Sequence, residues 1–266
     1  MTLMAFDLQG HRGARGLLPE NTLVAFERAL ELGVDTLELD LGLSADGVLV
    51  VHHDTHLSPH LARDGEGTWI SEPIALNAQT FTQLRAYDVG RLRPGSAYAQ
   101  RFPEQQAVDG QRIPALAEVF ALSPTARFNI EIKLDPSRPE ATASPEAFVE
   151  AVRQAVSEAA VADRVTVQSF DWRPLRALAG ELSTACLSED EGQDEEAVRA
   201  LLGEVVATGC QTWSPQHSLL SGARVAAAHA LGLRVVPWTV NEPARGEELR
   251  SWGVDGLITD YPDRVR

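Results

Sequence analysis

Three short stretches near the N-terminus carry side chains that could do chemistry: His11-Arg12-Gly13, Glu38-Leu39-Asp40 and His53-Asp54. Residues two apart on a strand share a face, so Glu38 and Asp40 would point the same way. Glu131 and Lys133 repeat that spacing further along. Three carboxylates in one place make a hard oxygen site, suited to Mg²⁺ or Ca²⁺ and not to zinc, since no cysteine joins them. Imidazoles titrate near neutrality, so His11 and His53 can serve as a general acid and base. Arg12 and Lys133 offer the positive charge that a phosphate oxygen needs. The alternative reading is three carboxylates held by Arg12 and Lys133 as structural ion pairs, with two hydrogen-bonded core histidines.

Whether His53 joins the carboxylates depends on a hairpin. Asp-Gly is the favoured pair for a two-residue turn. With Asp46 and Gly47 as the turn, Ala45 opposes Val48 and Asp40 opposes His53, and opposed residues share a face. His52 would point away. A slip of one residue reverses the choice.

The elements that must position these groups alternate along the chain. Eight strands are expected: Ala5–Gln9, Thr36–Asp40, Phe128–Lys133, Arg164–Gln168, Ser183–Cys186, Gly209–Trp213, Arg234–Trp238 and Gly256–Ile258. Val48–His52 is the return arm of the hairpin. Helical patterns fall between them. One is capped by Asn21 or Thr22, carries a Leu23, Phe26, Leu30 stripe and stops at Gly33. Others run through Pro145–Ala159, Trp172–Ala179, Glu195–Val206, Leu219–Leu231 and Glu242–Trp252. Eight strand–helix repeats predict an α/β fold, a (β/α)8 barrel; a doubly wound sheet is the runner-up, without a Gly-rich dinucleotide fingerprint. The chain reads as one domain, 1–266, with residues 54–112 as an inserted cap after the second strand. That stretch is rich in Gly, Pro and polar residues and has no clean strand–helix unit, and a loop so long is usually functional.

In such barrels the catalytic groups lie at the C-terminal strand ends. The polar residues fall there: His11 and Arg12, Glu38 and Asp40, Glu131 and Lys133, Gln168 and Ser169, Trp238, Thr239 and Asn241, Thr259 and Asp260. Gln168 is a candidate for substrate binding, and Trp238 could pack on a small polyol or fill the core. Glu20 and Asn21 could orient the first loop. His52, His56 and His60 have irregular spacing and read as loop surface.

Composition sets the outer bounds. The formal charge is −15, which opposes nucleic acid and anionic membranes as partners. It does not forbid a small phosphate ester, because a bound dication inverts the local field. No apolar run approaches the roughly 20 residues of a membrane span. Met1 to Gln9 lack a basic n-region and a long apolar stretch, so a cytoplasmic setting is expected. Cys186 and Cys210 read as buried thiols.

Taken in order, these residues resemble a known family. His11-Arg12-Gly13-Ala14 through Pro19-Glu20-Asn21-Thr22, Glu38-Leu39-Asp40, Asp46-Gly47 and Val50-Val51-His52-His53-Asp54 resemble the glycerophosphodiester phosphodiesterase family. So do Ile113-Pro114-Ala115-Leu116 with Glu118, Glu131-Ile132-Lys133, Gln168-Ser169-Phe170, Trp238-Thr239-Val240-Asn241 and Thr259-Asp260-Tyr261-Pro262. The resemblance implies a barrel with an insertion after the second strand. It implies Ca²⁺ or Mg²⁺ on Glu38, Asp40 and Glu131, His11 and His53 as the acid–base pair, and Arg12 and Lys133 on phosphate. The implied reaction cleaves glycerophosphodiesters, such as deacylated phospholipids, to glycerol 3-phosphate and an alcohol. Leu57-Ser58-Pro59-His60 replaces the family's usual Arg-Thr-Thr, which bears on the head group. The alternatives are a lyase that stops at a cyclic phosphate, like the related sphingomyelinase D toxins, and a barrel that binds phosphodiesters without turnover.

Overall fold

In the computed structural model, which describes residues 6–189 and 194–265, strands and helices alternate as the sequence pattern predicts. β1 (Asp7–His11), α1 (Leu23–Glu31), β2 (Thr36–Leu43) and the short return arm β3 (Leu49–Val51) come first. The segment before the third barrel strand holds β4 (His56–Leu57), β5 (Ile74–Ala75), α2 (Phe81–Leu84), α3 (Ala97–Arg101) and α4 (Leu116–Phe120). Then follow β6 (Arg127–Ile132), α5 (Pro145–Ala159), β7 (Val165–Ser169), α6 (Trp172–Leu178), β8 (Ser183–Ser188) and α7 (Glu195–Thr208). β9 (Thr212–Pro215), α8 (Gly222–Ala230), β10 (Arg234–Val235), α9 (Pro243–Ser251) and β11 (Gly256–Thr259) complete the order. Ala5, placed in the first strand by the sequence pattern, lies outside the described residues.

The parallel strands run in the order β10-β9-β8-β7-β6-β2-β1-β11. The seventh strand is regular only over Arg234–Val235, and Pro237 beyond it has no N–H to give toward β11. Single backbone bonds carry it on: Trp238 N donates to Pro215 O at 3.1 Å, and Ile258 N to Pro237 O at 2.9 Å. The second of these links the two ends of the sheet, so the eight parallel strands make a nearly closed barrel wrapped by helices. The helices bury their apolar faces on the outside of that sheet. Phe26, Phe148, Val152, Leu175, Leu202, Val225 and Leu249, one or two per helix, lie in one continuous core with the strand residues Leu37, Leu39, Ile130 and Val167.

The hairpin differs from the expected register. Leu41 pairs with Val51, Gly42 with Val50 and Leu43 with Leu49. His52 N donates to Asp40 O at 3.0 Å, so His52 and not His53 opposes Asp40. The turn has three residues, with Ser44 and Val48 closing it and Gly47 at φ +79°. A type I turn followed by a left-handed residue is the three-residue hairpin that Asp-Gly also satisfies, and it shifts the register by one. The ladder then stops at Val51, and beyond it strand parity no longer decides where a side chain points.

Residues 54–112 carry their own small core of Leu57, Ala62, Ile70, Leu76, Leu84 and Val89, seated on Val50 and Ile113. α2 starts at a capping box between Thr80 and Gln83. Arg63 ties the segment internally, 2.6 Å from Asp88 and 2.5 Å from Asp109. No helix among the described residues is long and apolar enough to cross a membrane.

Candidate active site

Parallel register gathers the site. His11 is level with Glu38 across β1 and β2, and Asp40 is level with Glu131, which is level with Gln168. Level residues on adjacent strands face the same way, so these side chains all enter the barrel mouth. One ligand oxygen from each of Glu38, Asp40 and Glu131 lies within 4.8 Å of the others. All three residues are buried.

The loop after β1 is bent to fit beneath them. Arg12 and Gly13 both have positive φ, at 51° and 85°. A Cβ on Gly13 would sit 2.6 Å from the Ala25 carbonyl carbon, so only glycine allows this approach to α1. The turn aims the Arg12 backbone N–H at Glu38 Oε2, 3.0 Å away. The Arg12 guanidinium reaches Glu20 at 2.8 Å and Asp40 at 3.2 Å. Thr22, and not Asn21, caps α1 by accepting from Ala25 N. Asn21 has φ 55° and donates instead to Asp40 Oδ2 at 2.9 Å.

Charge in the mouth is unbalanced. Lys133 Nζ lies 2.8 Å from Glu131 and 3.1 Å from Asp40. Glu20, Glu38, Asp40 and Glu131 are four carboxyl groups in contact with only two cations, Arg12 and Lys133, so ionising all four would leave two negative charges unmatched by these partners. Burial drives Glu38 well above the usual carboxylate range, and Asp40 and Glu131 beside it push it the same way. Burial likewise raises Glu131 to about 7 against the pull of Lys133. Burial opposes ionisation of Asp40 too, but Lys133 and Arg12 outweigh it and hold Asp40 well below its ordinary value. Asp40 Oδ1 is buried and accepts no hydrogen bond among the described residues, its approach to Lys133 being an ion pair only. Three clustered oxygen donors that resist ionising together without added positive charge, one of them short of a hydrogen-bond donor, fit one divalent cation.

The two histidines differ in setting. His11 Nδ1 lies 2.7 Å from Asp260 Oδ1, and Asp260 also takes Arg15 Nε at 2.8 Å and Asn241 Nδ2 at 2.8 Å. A carboxylate only accepts, so Nδ1 carries the proton and Nε2 is left with its lone pair in the cleft. Burial, with Arg15 next, lowers His11 to about 4. Burial would raise Asp260, but Arg15 and His11 outweigh it and hold it far below the carboxylate range. His53 Nδ1 is 2.7 Å from Asp54. Its pKa is lowered by burial and then by Arg12.

A cleft of about 460 Å³ opens over these groups and is lined by His11, Arg12, Glu38, His53, Glu131, Lys133, Gln168 and Trp238. Eight of the nine residues singled out from sequence thus meet at one opening, with Asp40 directly beneath. The expected face of His53 is met although the register behind it was not. His52 is buried below, near the His56 carbonyl at 3.2 Å. Two of the candidate substrate-binding residues also have partners within the protein. Lys133 is engaged by two carboxylates. Gln168 spends both ends of its amide inside the barrel, donating to Glu38 Oε1 at 2.7 Å and accepting from Asn129 at 2.9 Å. Trp238 gives its N–H to Ser214 O and stands edge-on to Phe170, centroids 5.5 Å apart, so it offers an apolar wall.

Three further residues belong to the site. Arg15 is buried and donates to both oxygens of Asp260, from Nε at 2.8 Å and Nη2 at 3.1 Å, so it holds the carboxylate that orients His11. Tyr98, on α3 of residues 54–112, donates to Glu20 and lines the cleft beside Arg101, His60 and Ser58. Asp260 was visible as a polar strand end, one step from its role. Arg15 sits in an irregular loop and Tyr98 on a five-residue helix too short for a period to mark a side chain.

Comparison with known proteins agrees over nearly the whole chain. The model of the glycerophosphoryl diester phosphodiesterase family matches residues 11–264. A glycerophosphodiester phosphodiesterase of Caldanaerobacter subterraneus subsp. tengcongensis is 31% identical over 258 residues, covering 96% of this chain and 94% of that one. A crystal structure from Silicibacter pomeroyi DSS-3, of a protein assigned as a glycerophosphoryl diester phosphodiesterase, superposes with TM-score 0.91 at 37% identity, covering 98% and 92% of the two chains. An Oleispira antarctica phosphodiesterase solved with the product sn-glycerol-3-phosphate shares the fold, with TM-score 0.75 at 22% identity over 97% of this chain and 94% of that one.

Proposed function

Because the chain belongs to the glycerophosphoryl diester phosphodiesterase family, we propose that it hydrolyses glycerophosphodiesters to glycerol 3-phosphate and an alcohol, with a divalent cation and a histidine pair. The observation that carries this reading is the convergence of His11, His53 and the Glu38, Asp40, Glu131 trio at one cleft. The product bound in the Oleispira relative supports the same substrate class.

Glu38, Asp40 and Glu131 would hold Mg²⁺ or Ca²⁺, which supplies positive charge for the phosphoryl oxygens as the bond breaks. Arg12 adds to that charge from the cleft wall, and Lys133 does so from between Asp40 and Glu131. One histidine takes the proton from the attacking hydroxyl. The other gives a proton to the leaving alkoxide. Attack by the glycerol 2-hydroxyl gives a cyclic phosphate that water then opens. With its Nδ1 proton directed to Asp260, His11 meets the substrate through Nε2. Trp238 and Phe170 form the wall against which the glycerol lies. Residues 54–112 act as a cap within the single domain, bringing Tyr98, Arg101, His60 and Ser58 to the head-group side. The proposed setting is cytoplasmic, where Cys186 and Cys210, buried with their Sγ atoms 2.8 Å apart, would be kept reduced.

The test is release of glycerol 3-phosphate from glycerophosphocholine, glycerophosphoethanolamine and glycerophosphoglycerol, with Mg²⁺, Ca²⁺ or chelator. Cation-dependent release is expected, and none from any of the three overturns the proposal. Phosphorus NMR of the products checks the last step, because accumulation of a cyclic phosphate would move the reading to a lyase.

A further inference from the structure

Below the carboxylates the barrel interior is filled by a ladder of buried polar side chains. Barrels of this type usually fill that space with branched aliphatic residues. At the bottom, Asp7 accepts from Gln9 Nε2 at 2.8 Å, Thr36 Oγ1 at 2.7 Å and Arg127 Nη2 at 2.7 Å. Asn129 Nδ2 donates to Gln9 Oε1 at 2.8 Å and to Gln168 Oε1 at 2.9 Å. Gln168 Nε2 then donates to Glu38 Oε1 at 2.7 Å. Gln9, Asn129, Gln168 and Glu38 are all at least 95% buried, so no water competes for these bonds.

The ladder has one direction. A carboxylate only accepts, so Asp7 turns the nitrogen of Gln9 downward and its oxygen toward Asn129. Both protons of the Asn129 amide are then spent on oxygens. Turning Asn129 over would set its oxygen between two others. Turning Gln168 over would set an amide oxygen against the Glu38 carboxylate. Asn129 Oδ1 is buried with no partner among the described residues, a cost that the two donor bonds offset. Asn129 is level with Glu38 on the adjacent strand and two residues before Glu131, and so lies beneath the trio without being one of it.

We infer that Asn129 is a positioning residue: by donating to Gln168 it turns the Gln168 nitrogen onto Glu38, and so aims Glu38 at the cation. Gln9 and Asp7 anchor the same direction from the closed end of the barrel. The inference rests on Glu38 being a cation ligand, as proposed above.

The experiment is calorimetric titration of chelator-stripped protein with Ca²⁺ and with Mg²⁺. Wild type, Asn129→Leu, Gln168→Leu and the double variant are compared, with circular dichroism to verify folding. A hydrogen bond to a charged group supports a loss of about tenfold or more in cation affinity for each single variant. Two residues on one path do not add, so the double variant should match Gln168→Leu within about twofold. Losses that multiply, or a wild-type affinity in Asn129→Leu, overturn the inference. Asn129→Asp gives the same reading where the leucine variant does not fold. Its carboxylate accepts from Gln168 Nε2, leaves an oxygen facing Glu38, and should weaken the cation at least as much, whereas unchanged affinity overturns the inference. A wild-type protein that takes up neither ion overturns the cation site itself, and this inference falls with it.

Discussion

Asp260→Asn should cost both stability and turnover, by separable routes. Asp260 is 1% exposed and accepts from His11, Arg15 and Asn241 at 2.7 to 2.8 Å. An asparagine of the same shape keeps one acceptor and turns an N–H₂ toward a donor. It also takes from the buried Arg15 guanidinium the carboxylate it touches, leaving only the more distant Glu20. Removing one partner of a buried pair costs about 3–5 kcal/mol. At about 2–4 °C per kcal/mol for a chain of this size, the melting temperature should fall by roughly 6–20 °C. The carboxyl of Asp260 is held below its unfolded value of about 3.9, so its stabilisation is complete above that pH and fades as pH falls through it. Urea denaturation should therefore show a constant gap between wild type and variant from neutral pH to about 5, narrowing below about 4. On the folded protein, loss of the acceptor that fixes the His11 tautomer should lower kcat by about 10²–10⁴, the range for a misplaced acid–base group. Adding Arg15→Met removes the charge itself and should restore part of the stability and none of the turnover. A variant within about 1 kcal/mol of wild type at pH 7 would refute the energetic argument, since a broken buried pair should cost several times that. Wild-type kcat would refute the positioning of His11.

Three other outcomes follow from the same geometry. His11→Ala and His53→Ala should each lower kcat by about 10²–10⁴ while calorimetry shows cation affinity retained; wild-type rates in either would remove that histidine from the mechanism. Glu38→Ala should weaken cation affinity and activity together, so that raised Mg²⁺ or Ca²⁺ recovers part of the rate; recovery by neither ion contradicts its place as a ligand. Gly13→Ala should destabilise the fold by about 2–4 kcal/mol in urea, because the residue has positive φ and its new Cβ meets the Ala25 backbone at 2.6 Å; a change under about 0.5 kcal/mol would show that the loop can move away.

Much of the barrel was legible because it is written in period and punctuation. α5 has the bounds expected for it, Pro145–Ala159, with Ser144 found as its N-cap. The strand pairs Glu38–Asp40 and Glu131–Lys133 met at one rim because strand parity and parallel register leave them no other place. The hairpin shows the limit of that reasoning. Asp-Gly serves both a two-residue and a three-residue turn, and the register follows the turn that forms. His53 still faces the cleft, since the chain leaves the ladder at Val51, and no strand rule could have shown it. Arg15, Tyr98 and the partners of Gln168 were hidden for a different reason. Their roles come from contacts across 245 residues for Arg15 with Asp260, 78 for Tyr98 with Glu20 and 130 for Gln168 with Glu38. No local pattern encodes such distances.

The most direct measurement is a crystal structure of the protein soaked in Ca²⁺ or Mn²⁺, with anomalous scattering used to locate the ion. The account predicts one ion bound by carboxylate oxygens of Glu38, Asp40 and Glu131, at about 2.3–2.6 Å for Ca²⁺. His11 Nε2 should face the space beside it. No ion at that position in crystals that hold the cation elsewhere, with Lys133 alone bridging Asp40 and Glu131, would contradict it.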